Sequence, residues 1–230
     1  VKFNFNVVAE NHDVINEKPD TIIIATGGMP NLELFETKKD LENVFTCWDI
    51  ISGDIKLSQN ILIYDEAGDH TAMQAAEIAI KRGSTVEFMT PDRLIGSEIM
   101  GMNLTPYLKN LQNKKITYSI AKRLVNVSIQ GNKLDTKIGS DYDELFKYHT
   151  SFDQVFLNYG VKPLDKLYFN LIPYSKNEGS VNYDKFIVGE KQDIVKNKNN
   201  KFDLYRIGDA VSSRNIHAAI YDALRLLINI

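Results

Sequence analysis

The fold is decided by residues 60–90, which read NILIYDEAGDHTAMQAAEIAIKRGSTVEFMT. Asn60–Asp65 is a short apolar run of the kind that forms a strand buried on both faces of a parallel sheet. Thr71–Gly83 is rich in helix formers and ends with a basic pair and a glycine, as helices commonly do. Ser84–Thr90 has the pattern of a second strand. Strand, helix and strand within about thirty residues predict a βαβ unit with a right-handed crossover.

Two other segments share a pattern in which a strand runs into a glycine-containing loop. Lys18–Asp20 introduces the apolar strand Thr21–Ile24, which continues into Ala25–Gly28. Ser151–Gly160 repeats this order, with an Asp, apolar residues and a loop that contains Gly. Two such endings indicate two related nucleotide-binding units. We therefore predict an α/β fold with two Rossmann-like units, one inserted in the other.

The rest of the chain is predicted to contain further strands and helices and one long loop. The alternation at Val1–Val7 predicts a strand, and the polar stretch Ser175–Lys201 predicts a solvated loop. The other predicted elements are a helix at Leu104–Asn113, an antiparallel trio of strands at Lys115–Ile120, Leu124–Ile129 and Leu134–Ile138, a strand at Leu204–Ile207 and a helix from about Ile216 to Leu227.

Composition limits the classes of function. The chain has 230 residues, 43% hydrophobic and 25% charged, and its net charge of −3 offers no basic surface for nucleic acid. A single cysteine, Cys47, fits a reducing compartment. No apolar run approaches the roughly 20 residues of a membrane span, and the N-terminus shows no signal-peptide pattern. We expect a cytoplasmic protein without nucleic-acid or membrane partners. Because strand-like sequence starts at once at Val1, we also expect a fragment.

The most informative motif is Ile207–Ala210, which precedes the helix around His217. Glycine lets the chain turn beside a ligand, and an aspartate can accept a hydrogen bond from a hydroxyl. The N-terminus of the following helix favours a phosphate. The motif therefore suits a ribityl-phosphate or similar polyol-phosphate ligand. The alternative is an ordinary turn in which Asp209 is a helix cap.

Taken together, Ala25–Gly28 and Gly208–Ala210 resemble the loops of flavoproteins whose FAD domain is interrupted by an NAD-type domain. Among these flavoproteins, the chain resembles in particular the C-terminal region of the trimethylamine dehydrogenase and 2,4-dienoyl-CoA reductase family. Four stretches carry it: Tyr64–His70, Met89–Arg93, Met100–Leu104 and Arg206–Ala210. Within the family the whole chain is most similar to the N-methylproline and dimethylglycine demethylases.

This resemblance implies part of a flavin-dependent oxidoreductase. In the family an FMN-bearing (β/α)₈ barrel comes first, then a cysteine cluster that holds [4Fe–4S], then the dinucleotide-type domains. Cys47 alone cannot hold such a cluster, so FMN and [4Fe–4S] are expected only upstream of this chain. The expected partners are the chain's own upstream FMN-barrel domain and an electron-transfer protein, and the intact enzyme is expected to be a homo-oligomer.

Two departures from the family pattern affect the nucleotide sites. The opening G-x-G-x-x-G loop, which would hold the pyrophosphate of FAD or ADP, should precede Val1, so the outer site is expected to be incomplete. The inner loop Asp65–Asp69 has one glycine and three carboxylates, which repel a pyrophosphate. The second strand ends at Met89-Thr90 without an acidic residue for a ribose hydroxyl. We therefore expect the inner domain to bind NAD(P)H poorly.

These observations predict an outer, incomplete FAD-type domain at residues 1–56 and 162–230, and an inserted NAD-type domain at residues 57–161. No catalytic residue and no metal ligand is expected. His70 beside Asp69 lacks a third metal ligand at helical spacing, and His217 is more often a packed or capping residue than a cofactor contact. The predicted contacts to FAD or ADP are Ala25, Thr26, Gly27, Gly28, Gly208, Asp209 and Ala210.

Two other functions fit parts of the sequence. The chain could be a non-catalytic scaffold, or a module that docks an electron-transfer partner, with decayed nucleotide sites, as the Asp65–Asp69 loop indicates. It could also be a stand-alone reductase of the ferredoxin- or rubredoxin-reductase type that uses FAD and NADH. The missing G-x-G-x-x-G loop and the poor inner loop argue against the reductase.

Overall fold

The computed structural model describes residues 1–32 and 41–228. The helices are α1 Asn11–Asn16, α2 Cys47–Ser52, α3 His70–Lys81, α4 Gly101–Leu111, α5 Lys166–Leu171, α6 Tyr183–Val188 and α7 Ile216–Leu227, with 3₁₀ turns at Ile172–Tyr174 and Gly208–Ala210. The strands are β1 Thr21–Ile24, β2 Gly28–Pro30, β3 Val44–Thr46, β4 Asn60–Asp65, β5 Thr85–Met89, β6 Ile116–Ser119, β7 Arg123–Gln130, β8 Lys133–Gly139, β9 Tyr148–Phe152, β10 Gln154–Asn158, β11 Val161–Pro163 and β12 Asp203–Arg206.

The chain divides into two compact units. The outer unit combines Val1–Met29 with Val161–Ile230, and the inner unit is Pro30–Gly160. The sequence placed the first division at residue 57, whereas the structure places it at residue 30. The difference arises because β3 pairs in parallel with β10, Val44 opposite Val155, and α2 packs against α3. A strand of three residues is too short to stand out as an apolar run.

The inner unit is built on a parallel sheet in the order β3-β10-β4-β5-β6. Residues 61–64 of β4 are fully buried, as the central strand of such a sheet requires. The crossover helix α3 begins at its cap Asp69 and ends before Gly83, whose φ of +99° an L side chain rarely adopts. The predicted α/β fold with a parallel sheet is confirmed.

The two faces of this sheet pack against different layers. Ile61 and Ile63 point to the helical side, where the alanine-rich face of α3 lies. Leu62 and Tyr64 point to the other side, where they meet the three-stranded antiparallel sheet β7-β8-β9. Alternate side chains of β4 therefore pack into two cores, one on each face of the sheet, and the inner unit has three layers.

The structure corrects four of the expected elements. β6 is not part of the antiparallel trio, because it pairs in parallel with β5; β9 completes the trio instead. The single strand predicted at Ser151–Gly160 is divided between β9 and β10. Residues 1–10 carry no strand, and the polar segment 175–201 contains the short helix α6, capped by Asn182.

The outer unit has a small core around the parallel pair β1 and β12. Ile22 and Ile24 of β1 and Leu204 of β12 are buried with α5 residues. Buried Asn177 continues the hydrogen bonding of β12, since its amide accepts from Leu204 N at 2.9 Å and donates to Leu204 O at 2.9 Å. β2 and β11 form a separate two-stranded sheet.

Candidate functional site

The two loops predicted to bind a cofactor leave neighbouring parallel strands at the same end. Ile24, the last residue of β1, lies opposite Arg206, the last residue of β12. The pairing extends one step further, because Ile207 N donates to Ile24 O at 3.0 Å. Loops at the carboxyl ends of adjacent parallel strands form the usual ligand crevice of an open α/β sheet.

The Ala25–Gly28 loop is fixed by contacts to the segment after β11. Thr26 Oγ1 donates to Leu164 O, and Leu164 N donates to Gly27 O at 2.9 Å. Gly27 has a φ of +69°, and a Cβ built there would meet no atom within 4 Å. At Gly28, in contrast, a Cβ would lie 2.3 Å from Val161 Cγ1. Gly27 thus faces open space, whereas Gly28 is required by packing within the protein.

The turn after β12 is held by a carboxylate from α7. Gly208 has a φ of +60°, and its N–H donates to Oδ2 of buried Asp222 at 3.0 Å. A Cβ at Gly208 would lie 3.2 Å from Ala219 Cβ, so α7 also approaches the turn closely. Ala210 is fully buried in the core of the outer unit.

Asp209 and Arg214 are the charged side chains beside this turn. Arg214 N donates to Asp209 Oδ1 at 3.1 Å, while the Arg214 guanidinium forms an ion pair with Asp222. The following residue, Asn215, caps α7, since its side chain accepts from Ala218 N at 3.0 Å. Asp209 is therefore not the cap of α7, which was the alternative that the sequence left open.

Together these residues form an open cleft of about 400 Å³. Four of the predicted residues line it, namely Ala25, Gly27, Gly208 and Asp209. Thr26 holds its loop in place, and Gly28 and Ala210 pack inside the protein.

Sequence reasoning missed three residues of this site, Arg214, Asn215 and Asp222. An Asn directly before a helix is a recognisable cap signal. Nothing in the sequence pairs Asp222 with Gly208.

The cleft offers hydrogen-bonding groups and no net positive charge. Asp209 and Arg214 are the charged residues among those that line it, and Asp222 neutralises Arg214. The first turn of α7 begins at Ile216, where helical N–H groups point outward without partners inside the helix. The arrangement can accept hydrogen bonds from hydroxyls at Asp209 and place a weak positive dipole near an anion.

The corresponding loop of the inner unit is filled by its own side chains. Asp65, at the end of β4, is 1% exposed, and its Oδ1 accepts from Ala67 N at 3.2 Å, Gly68 N at 3.1 Å and Asn158 Nδ2 at 2.9 Å. Asp69 Oδ1 accepts from Thr71 N at 2.9 Å. The backbone N–H groups that a glycine-rich loop would present to a phosphate are thus already bonded.

Neighbouring residues close this inner loop further. A Cβ at Gly68 would lie 2.2 Å from Ser97 Oγ, and Glu98 N donates to Gly68 O at 3.0 Å. Oδ2 of Asp65 is buried without a hydrogen-bond partner among the described residues. Burial raises the pKa of Asp65 to about 7, and the charge of Asp69 raises it too, against the hydrogen bonds from Gly68 and Asn158.

The remaining candidates do not form a second site. His70 Nδ1 lies 3.0 Å from the Tyr107 hydroxyl, and His217 is exposed in the first turn of α7. Burial raises the pKa of the Cys47 thiol well above its ordinary value, so it is not a reactive thiolate. Within residues 1–32 and 41–228, no group of three His, Cys, Asp or Glu side chains is placed to hold a metal ion. No helix among these residues has the length and apolarity to cross a membrane.

Comparison with known proteins places this geometry in a chemical context. No protein-family model matches the sequence. The whole chain is 51% identical to the "Probable N-methylproline demethylase" of Rhizobium meliloti, of which it covers 34%. It is 30% identical over 227 residues to the N,N-dimethylglycine/sarcosine dehydrogenase of Chromohalobacter salexigens. This match covers 95% of this chain and 33% of that protein. Its homologues are oxidoreductases and demethylases.

A solved structure supports the fold. The chain superposes on 2-naphthoyl-CoA reductase with a TM-score of 0.75 and 20% identity, covering 100% of this chain and 30% of that one. The chain spans about a third of the length of the curated relatives that it matches. The family resemblance seen in the motifs is supported by these relatives, whose names include an N-methylproline demethylase and a dimethylglycine dehydrogenase.

Proposed function

We propose that the chain is the C-terminal dinucleotide-binding region of a flavin-dependent oxidoreductase of the FMN/iron–sulfur type, an amine demethylase or a dienoyl reductase, and that the cleft of the outer unit holds FAD or ADP. The observation that carries the proposal is the meeting of the loops after β1 and β12 at one cleft, where Gly27 and Gly208 both have positive φ. The 51% identity to a demethylase supplies the enzyme class.

The residues present fit the sugar-like part of such a ligand. A volume of about 400 Å³ is within the range of ligand clefts, although a whole dinucleotide needs more. Asp209 would accept from a hydroxyl, and the open side of Gly27 leaves room for close approach of the ligand to the backbone. A bound flavin would supply electron transfer, and the role of this chain's residues would be to bind and orient it.

Exposed apolar surface in the outer unit supports the proposal that this unit is incomplete. Among the described residues, β1 pairs with β12 alone, and a parallel sheet of two strands is unusually small. An apolar stripe on α7, spaced by one turn, is 44–72% exposed: Ile216, Ile220, Leu224 and Leu227. An upstream G-x-G-x-x-G unit of the same polypeptide would cover such a surface. The FMN barrel and the [4Fe–4S] cluster would also lie upstream, because Cys47 is the chain's one cysteine.

The test is to purify the protein expressed from its complete open reading frame and to identify the nucleotides that heat releases. We expect FAD or ADP in a ratio near one per chain in addition to FMN. Asp209→Ala should lower the FAD or ADP content and leave the FMN content unchanged. The matched control is Asp54→Ala, an exposed aspartate of the inner unit. A protein that releases FMN alone would contradict the proposal.

The scaffold or partner-docking function remains the second candidate, and the inner loop favours it for the inner unit. Asp65 and Asp69 occupy the loop's backbone N–H groups, so we propose that this unit supports assembly or electron-transfer contacts and binds NAD(P)H poorly. Calorimetric titration of the purified protein with NADH should give no saturable binding. Tight binding that Asp65→Asn alters would overturn this part of the proposal.

A further inference from the structure

We infer that Asp222 and Arg214 are the positioning pair of the outer cleft: they fix the Gly208 turn and Asp209 so that the Asp209 carboxylate meets a hydroxyl of the ligand. This inference rests on the proposed cofactor function and assigns roles to two residues that make no part of the Gly-Asp motif itself. The contact of Asp209 with a hydroxyl belongs to the proposed function, and the new assignment is the role of Asp222 and Arg214.

Asp222 is the fixed point of the pair. Its side chain is 11% exposed, and Oδ2 accepts both the Gly208 N–H at 3.0 Å and the Arg214 guanidinium. A carboxylate buried to this degree is stable only when it is paired and hydrogen-bonded. Because α7 carries Asp222, the helix determines where the turn after β12 lies.

Arg214 connects Asp222 to Asp209. Its guanidinium contacts Asp222 through both Nη atoms and reaches Gly208 O at 3.5 Å, while its own N–H donates to Asp209 Oδ1 at 3.1 Å. Within the described residues, the second oxygen of Asp209, Oδ2, accepts no hydrogen bond from the protein. One carboxylate oxygen is therefore held by Arg214 N, and the other remains for a ligand.

The charges decide which part of a ligand belongs here. Asp222 cancels the charge of Arg214, so the cleft retains the single negative charge of Asp209. A carboxylate attracts hydroxyl donors and repels phosphate oxygens. The polyol or sugar part of the ligand therefore lies at Asp209, and its phosphates lie away from this carboxylate.

The experiment is a double-mutant cycle on the protein expressed from its complete open reading frame and stripped of nucleotide. FAD, and in a parallel series ADP, is titrated into the wild type, Asp209→Asn, Asp222→Asn and the double variant, and the cycle is read from the nucleotide that the wild type binds. We expect each single substitution to weaken FAD binding by about tenfold and the double variant to weaken it by about the same factor, because Asp222 acts through Asp209. Riboflavin, which has the ribityl hydroxyls and no phosphate, should show the same loss for Asp209→Asn.

Asp193→Asn is the matched control, because it removes the ion pair with Lys185 in the same unit, outside the residues that line the cleft. It should leave FAD affinity unchanged. Arg214→Gln provides a second variant if Asp222→Asn does not fold, since the Arg214 side chain is 37% exposed.

Each alternative result has a defined meaning. A wild type that binds neither FAD nor ADP overturns the proposed function. A wild type that binds FAD while Asp222→Asn and Arg214→Gln bind it equally well overturns this inference alone. A hundredfold loss in the double variant would indicate general loosening and would also overturn it. A loss seen with FAD but not with riboflavin would show that Asp209 does not meet the ribityl hydroxyls and would overturn this inference.

Discussion

The outer turn at Gly208 and the inner loop at Asp65–Asp69 both have backbone N–H groups bonded to a carboxylate, but the carboxylate comes from a different element in each. In each, a strand end leads into a loop whose backbone N–H is bonded to a buried aspartate: Asp222 for Gly208, and Asp65 for Ala67 and Gly68. Asp222 reaches the turn from α7 and is not among the residues that line the cleft, which stays open at about 400 Å³. Asp65 belongs to the strand itself, so its side chain occupies the space beneath the loop.

The position of one carboxylate decides whether the space beside a strand-end loop is filled or open. An aspartate at the end of β4 satisfies the loop's N–H groups internally and places a carboxyl group where a phosphate would lie. An aspartate on α7, outside the residues that line the cleft, accepts the Gly208 N–H. Fold alone therefore does not imply nucleotide binding, because the two loops share a strand-end setting and differ in chemistry.

The largest expected effect concerns the charge of Asp65. Its pKa is raised from 3.8 to about 7, so the folded protein holds a proton that the unfolded chain releases. The contribution of this group to stability is therefore present at low pH and is lost as pH rises towards about 7. Asp65→Asn removes the loss, and its free energy of unfolding relative to the wild type should rise by about 3 kcal/mol between pH 5 and pH 8.

Urea unfolding at the two pH values measures this difference. Asp54→Asn, at an exposed position of the same unit, should show almost no change relative to the wild type. If the free energies of unfolding of Asp65→Asn and the wild type changed in parallel between pH 5 and pH 8, Asp65 would be ionised at both pH values. The buried carboxylate would then require a compensating positive charge nearby.

The next prediction uses two glycines with the same backbone conformation. Gly68 has a φ of +65° and Gly27 a φ of +69°, but a Cβ at Gly68 would lie 2.2 Å from Ser97 Oγ and a Cβ at Gly27 would meet nothing within 4 Å. Gly27→Ala should cost about 1 kcal/mol, from the backbone alone. Gly68→Ala should cost about 2–3 kcal/mol, because Ser97 must also move.

Thermal and urea unfolding of the two variants tests this pair. Adding Ser97→Ala to Gly68→Ala should restore part of the lost stability, whereas Ser97→Ala added to Gly27→Ala should restore none. Equal costs at the two glycines would mean that the inner loop is as open as the outer cleft.

The fold was predictable to the extent that its elements were long or strongly patterned. The βαβ unit at residues 60–90 was recognised because β4 is wholly apolar inside and α3 has clear ends. β3 and α6 were missed because three and six residues carry too little periodicity. β6 was assigned to the wrong sheet, since its sequence does not specify whether its neighbour is β5 or β7.

The candidate site was predictable only where a residue has an intrinsic backbone role. Gly27 and Gly208 were identified because a glycine after a strand lets the chain turn or approach a ligand closely, and the structure places both at the cleft with positive φ. Gly28 and Ala210 were chosen because they belong to the same two motifs, but both pack inside the protein. Asp222 could not have been found, because its relation to Gly208 depends on the path of α7, which no local pattern fixes.

The smallest expected effect compares the caps of the two following helices. Asn215 caps α7 through Ala218 N at 3.0 Å, and Asp69 caps α3 through Thr71 N at 2.9 Å. Asn215→Ala should cost about 1 kcal/mol, the usual loss for a helix cap. Asp69→Asn keeps a cap and removes the charge that raises the pKa of Asp65, so at pH 8 the free energy of unfolding should rise by about 0.5 kcal/mol.

Urea unfolding at pH 5 and pH 8 separates the two causes. The gain from Asp69→Asn should shrink at pH 5, where Asp65 is protonated, whereas the cost of Asn215→Ala should stay constant. A gain that persisted at pH 5 would show that the charge of Asp69 does not act through Asp65.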